Sequence, residues 1–210
     1  MVSTLEKKSK INLYLEFFFI YLIIPIVLVV FFKKKILLYI VLYIIFFLSI
    51  ILLKKENFLF KSLFKKLNFT SFFLYSIVFF FTIFFYTYFY NKKNLFNFPL
   101  NDFEHWFFLM LFYPIISVLP QEIIYRVLFM KRYAKLFKYN TKYTYVINTF
   151  VFSYGHLVFG NIHALILTAL SSSFFLHEYK NNSFLNCFLL HMIGGQLVFT
   201  IGLGEFFFKI

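Results

Sequence analysis

Cysteine is almost absent: Cys187 is the only one in 210 residues. A single chain can therefore build neither a disulfide framework nor a cysteine-based zinc site. One thiol in an apolar helix reads as a small packing residue. Charge is scarce too, at 14% of residues against about a quarter in soluble domains. Acids are scarcest, with 8 Asp and Glu against 21 Lys and Arg. A water-soluble fold would lack the polar surface to cover itself. No signal-peptide pattern is present. The first apolar block is too long for a signal core and no small-residue cleavage site follows it, so it is expected to stay as an anchor. The C-terminus Phe206-Phe207-Phe208-Lys209-Ile210 carries no prenylation box. Internal repeats are missing, as are the paired broken helices of a transporter.

What fills the chain is apolar and aromatic, 62% and 26% of residues, gathered in long blocks. The blocks fall at 11–32, 36–53, 69–90, 103–130, 143–159, 162–176 and 183–208. Blocks of this length predict an all-α, polytopic transmembrane helix bundle of about seven spans. The net charge of +13 does not indicate nucleic acid, because the lysines flank the apolar blocks as headgroup anchors do. Residues 1–10 are polar, and Lys33-Lys34-Lys35 reads as a tight turn. Five lysines interleaved with Leu and Phe over 54–68 predict an amphipathic helix on the membrane surface. Glu16 is expected at headgroup level, and Pro120 as a kink in the overlong fourth block. If the fourth block crosses once, fourteen Lys and Arg lie on one side and six on the other. The N-terminus is then expected in the cytoplasm and the C-terminus outside. The expected domains are 1–102, N-terminal spans with the amphipathic segment, and 103–210, a core.

That core is organised around Pro120-Gln121-Glu122-Ile123-Ile124-Tyr125-Arg126. Glu122 and Arg126 share one helix face at i and i+4 and can pair there. Ionisable groups at membrane depth mark functional sites by default. Counted from the basic flanks of their helices, Glu122, His156 and His191 lie about 13, 21 and 13 Å deep at 1.5 Å per residue. Convergent Glu and His can bind a metal or activate a water. The bland alternatives are a structural ion pair for Glu122–Arg126 and interhelical hydrogen bonding for each histidine. His105, His163, His177, Glu178 and Glu205 fall near span ends and are expected at interfaces.

Gln121-Glu122-Ile123-Ile124-Tyr125-Arg126 resembles the Glu-Glu-x-x-x-Arg motif of the CPBP (Abi, or type II CAAX prenyl endopeptidase-like) membrane proteins. Phe152-Ser153-Tyr154-Gly155-His156 matches their second motif, Phe-x-x-x-His. The stretch around Leu190-His191 is similar to the third, where Asn or Asp follows His four residues on. The resemblance covers about half the chain. It implies an intramembrane endopeptidase, a metalloprotease-type hydrolase, with Glu122, His156, His191, Arg126 and Gln121 as site residues. Glu122, His156 and His191 would hold a divalent metal, zinc foremost; without a metal they would serve general-base chemistry. The implied substrate is a membrane-proximal peptide or lipidated protein, prenylated CAAX-type or bacteriocin-related. The implied setting is the lipid bilayer of a bacterial cytoplasmic membrane, with no nucleic acid. Two positions depart from the pattern. Gln121 replaces the first glutamate, and an amide takes no proton at neutral pH. Gly195 replaces the Asn or Asp that helps hold an oxyanion. These departures motivate the alternative function: a catalytically silent member that binds peptide or confers bacteriocin self-immunity.

Overall fold

Lipid offers no partner to backbone N–H and C=O groups, so apolar blocks satisfy them internally as helices. Among the described residues there is no strand. The computed structural model describes residues 4–31, 35–137, 139 and 142–207. The expected turn at Lys33-Lys34-Lys35 falls largely outside them, as do Lys138, Asn140 and Thr141 of the basic loop and Phe208-Lys209-Ile210.

Among the described residues, five helices are long and apolar enough to cross a membrane: α1 (Lys10–Phe31), α2 (Ile36–Lys55), α3 (Phe69–Tyr90), α4 (Phe103–Phe137) and α7 (Phe184–Ile201). Between the last two lie α5 (Lys142–Gly155) and α6 (Ile162–Asn181), the expected fifth and sixth spans. With 14 residues, α5 is short. α6 dilutes its apolar sequence with Thr168, Ser171, Ser172, Ser173, His177 and Glu178.

The surface helix expected over 54–68 does not form. α2 stops at Lys55, Asn57 takes the left-handed conformation (φ 53°) that Asn tolerates, and only a 3-10 turn follows at Phe60–Phe64. Leu63 tucks inward while Leu59 and Phe64 stand 76% and 81% exposed beside Lys61 and Lys65. Asn68 then caps α3, its side chain accepting from the Ser71 N–H at 3.2 Å. α7 ends earlier than its block predicts, at Gly202 (φ +130°), where a Cβ would collide with the Asn94 carbonyl.

The chain forms two compact units, and α4 and α6 each contribute to both. The first unit takes residues 1–58 and 123–172. Its core includes Tyr21, Phe129 and Tyr133, all fully buried, and the Tyr21 hydroxyl donates to the Ile124 carbonyl at 2.7 Å. Glu16 is paired and partly buried, at 28% exposure. It receives Nε and Nη2 of Arg132 at 2.7 and 2.8 Å and the hydroxyl of Tyr133, while Arg132 Nη1 donates to Glu56. Carboxylates from α1 and the end of α2 thus meet one guanidinium on α4.

The second unit takes residues 59–122 and 173–209. Here Glu178, near the end of α6, is completely buried. Its oxygens accept from Ser71 Oγ, from Asn182 Nδ2 at 3.0 and 3.1 Å, and from Asn186 Nδ2 at 2.9 Å. Asn186 also brackets the Asn68 backbone, accepting from its N–H and donating to its carbonyl, both at 2.9 Å. This network ties α3, α6 and the start of α7, and so fixes the next residues of α7, among them Cys187 and His191.

Candidate active site

Two prolines shape the helix that carries the acid. Pro114 and Pro120 lack the N–H that closes an α-helical turn. The irregularity expected at Pro120 takes the form of two π-helical stretches, Pro114–Val118 and Ile123–Tyr133, on either side of a four-residue α-turn, Leu119–Glu122. π-Helical insertions often sit at functional sites because they re-aim side chains without ending the helix.

Glu122 closes that α-turn and is completely buried. Its Oε1 lies 2.7 Å from Nδ1 of His191, which is itself only 5% exposed. Its Oε2 accepts from Sγ of Cys187 at 2.8 Å. Cys187 and His191 stand four residues apart on α7, so one helix face presents both to the carboxylate. The imidazole stacks on Phe175, with centroids 4.6 Å apart and planes 18° apart, and meets the edge of Tyr113 at 6.5 Å. The structure therefore brings Glu122 and His191 together. It adds Cys187, which its lone position in an apolar block had marked as packing. The i, i+4 spacing from His191 was the signal available.

Gln121, beside Glu122, donates from Nε2 to Ser117 Oγ at 2.8 Å. Among the described residues its buried Oε1 has no hydrogen-bond partner.

Arg126 and His156 belong to the first unit. The fully buried Arg126 guanidinium donates from Nη1 to Asn148 Oδ1 at 2.7 Å and from Nη2 to Ser172 Oγ at 3.0 Å. It also lies over the Phe152 ring at 4.5 Å. Asn148 in turn donates to the Tyr125 carbonyl at 2.6 Å. Sequence reasoning missed Asn148 and Ser172. His156, half-buried, opens a 3-10 turn at the end of α5, with Nδ1 2.8 Å from the Phe152 carbonyl and its ring 4.8 Å from the Phe152 ring. A carbonyl only accepts, so Nδ1 carries a proton.

Among the described residues no group of three or more His, Cys, Asp or Glu is arranged to hold a metal ion. Cys187 and His191 each hydrogen-bond to Glu122, one to each carboxylate oxygen.

The architecture is that of an integral membrane, all-helical protein with an acid–imidazole pair sunk in it. Residues 103–194 match the family model described as Rce1-like: type II CAAX prenyl endopeptidase Rce1-like, and that match bears out the resemblance read from the three motifs. The matched segment contains Gln121, Glu122, Arg126, His156 and His191 and stops at Gly194, one residue before the departure at Gly195. No curated protein and no solved structure matches the chain.

Proposed function

We propose that this protein is a membrane endopeptidase that hydrolyses a membrane-proximal, CAAX-type lipidated peptide. The contact between Glu122 and His191 carries the reading. A carboxylate held to Nδ1 fixes the tautomer in which Nε2 has the lone pair, and it stabilises the imidazolium once that nitrogen gains a proton. His191 then takes a proton from water as the water oxygen bonds to the scissile carbonyl carbon. The carbonyl π pair moves onto oxygen. On collapse the C–N bond breaks, and the leaving nitrogen takes the proton back from His191. Burial of both partners strengthens each electrostatic step. His191 thus takes the proton that the Gln121 amide cannot. Arg126, held by Asn148 and Ser172, fixes the helix turn that follows.

The family also suggests a divalent metal, zinc foremost, with Glu122, His156 and His191 as its ligands. Metal content of purified wild type beside His156→Ala separates that chemistry from the metal-free dyad. The site would work in a bacterial cytoplasmic membrane, with the N-terminus cytoplasmic. Purified protein in detergent is expected to cleave a farnesylated CAAX peptide, with Glu122→Gln and His191→Ala each losing at least about 100-fold. A wild type that cleaves no such peptide, with both variants behaving normally in cells, would end this reading.

One observation favours a second reading. The orphaned Oε1 of Gln121 marks an amide where the family places an acid. A silent, peptide-binding protein, for example one conferring bacteriocin self-immunity, would gain hydrolysis only on Gln121→Glu.

A further inference from the structure

Gly195 stands one turn beyond His191 on α7, about 6 Å along the same face. A side chain there would project beside the imidazole. None exists, and the space is taken. A Cβ built on Gly195 would collide first with the hydroxyl oxygen of Tyr113, then with the ring carbons that bear it. Tyr113 is the last residue before the first π-helical stretch of α4, so its ring is aimed from the turn that reshapes that helix. Its ring packs edge-on to His191 at 6.5 Å and to Phe199 at 5.7 Å, at 79° and 74°. Two ring contacts thereby hold Tyr113, and its hydroxyl end meets α7 at Gly195, beside the dyad.

The geometry points to Tyr113 as the oxyanion donor of this site. Its O–H stands where the Cβ of a side chain on residue 195 would begin, and Gly195 is what lets it in. The inference rests on the endopeptidase reading and adds a catalytic residue to it. When water adds to the scissile carbonyl, the electron pair displaced onto oxygen makes an alkoxide. The phenolic O–H donates to that alkoxide without transferring its proton, and releases it when the C–N bond breaks. A phenol suits the task because its hydroxyl proton rotates to the acceptor and its body packs as an apolar wall. Filling the gap by mutation then has a definite sign. Gly195→Asn, placed in the natural chain, does not add a donor; it drives Tyr113 out.

The test uses full-length protein in detergent, a farnesylated CAAX peptide, and its phosphinate analogue, whose anionic oxygen mimics the alkoxide. Tyr113→Phe is expected to keep the wild-type unfolding midpoint within a few degrees and to lower kcat about 100-fold with KM unchanged. It should weaken the analogue by a similar factor while leaving peptide affinity alone. Gly195→Asn alone should abolish turnover, and Tyr113→Ala with Gly195→Asn should regain part of it. Tyr113→Phe with unchanged kcat and unchanged analogue affinity overturns the inference. If the wild type hydrolyses nothing, the endopeptidase reading fails and the analogue still decides. A preference for analogue over peptide that falls in Tyr113→Phe sustains the oxyanion site in a silent protein; no such preference in the wild type overturns it.

Discussion

A thiol is a weak donor, yet Cys187 donates a hydrogen bond to one of the two oxygens of a fully buried carboxylate. Removing that donor takes a hydrogen bond from a group that water cannot reach. Cys187→Val is therefore expected to cost about 1–3 kcal/mol and to slow hydrolysis, whereas Cys187→Ser keeps a donor on the same helix face and restores both. Unfolding midpoints of the two variants, read beside peptide cleavage, separate a positioning role from packing alone, since a packing role would favour the valine. Arg126 offers the sharper stability test. Its guanidinium serves Asn148 and Ser172 from separate nitrogens and covers Phe152. Arg126→Met strips both acceptors of a charged donor in a dry site and should cost about 3 kcal/mol. Arg126→Lys should recover little of that, because a single ammonium does not reproduce a planar fork that also stacks on a ring. A lysine variant that unfolds at the wild-type midpoint would show that charge alone holds this site.

Two elements repeat one device. α4 sends Tyr113 against Gly195 on α7, and Tyr125 against Gly155 on α5, and each glycine lies within four residues of a motif histidine. At Gly155 a Cβ would strike the Tyr125 hydroxyl. Gly155→Ala should therefore destabilise by about 1–3 kcal/mol through overpacking, and Tyr125→Phe, by removing the struck oxygen, should relieve most of it. A double-mutant cycle on thermal unfolding measures the coupling, and additivity of the two changes would refute the contact. Neither device was legible in the chain, because a glycine in a helix names no partner. The helices themselves were legible, since long apolar blocks admit little else, and so were the motif positions of Glu122 and His191. The ties that orient them were not. Cys187 meets Glu122 from 65 positions away, and Glu16 meets Arg132 from 116 away, and local pattern carries no record of such pairings. The place of Glu178 near a span end was legible, but its partners were not, because the Asn182 and Asn186 amides follow on the next turn and the next helix. The π-helical stretches of α4 were half legible: Pro120 announced a kink, while Pro114 and the π-helical form went unread.

For the molecule as a whole, the open question is how many times the chain crosses the membrane, and charge does not answer it. Five helices qualify as spans by length and composition, and α5 and α6 would bring the number to seven. The two counts share one parity. Whether or not α5 and α6 cross, the chain returns after them to the side it left, so the same fourteen Lys and Arg share one side, which the positive-inside rule would assign to the cytoplasm. The discriminating residues are those between the two helices, where no lysine or arginine stands to be counted. Length favours crossing. α5 and the 3-10 turn His156–Phe159 together give about 29 Å, and the 20 residues of α6 about 30 Å, each matching a hydrocarbon core. The hydroxyls of α6 do not forbid it: Thr168 bonds to the Ala164 carbonyl at 2.7 Å and Ser171 to Leu167 at 2.8 Å, so they enter the bilayer already satisfied. Ile162, 62% exposed at the start of α6, is the residue to mark. In intact cells Ile162→Cys should react with a membrane-impermeant maleimide added outside, while the buried Cys187 stays silent. Labelling only after the membrane is opened would leave α5 and α6 on the cytoplasmic side and reduce the count to five.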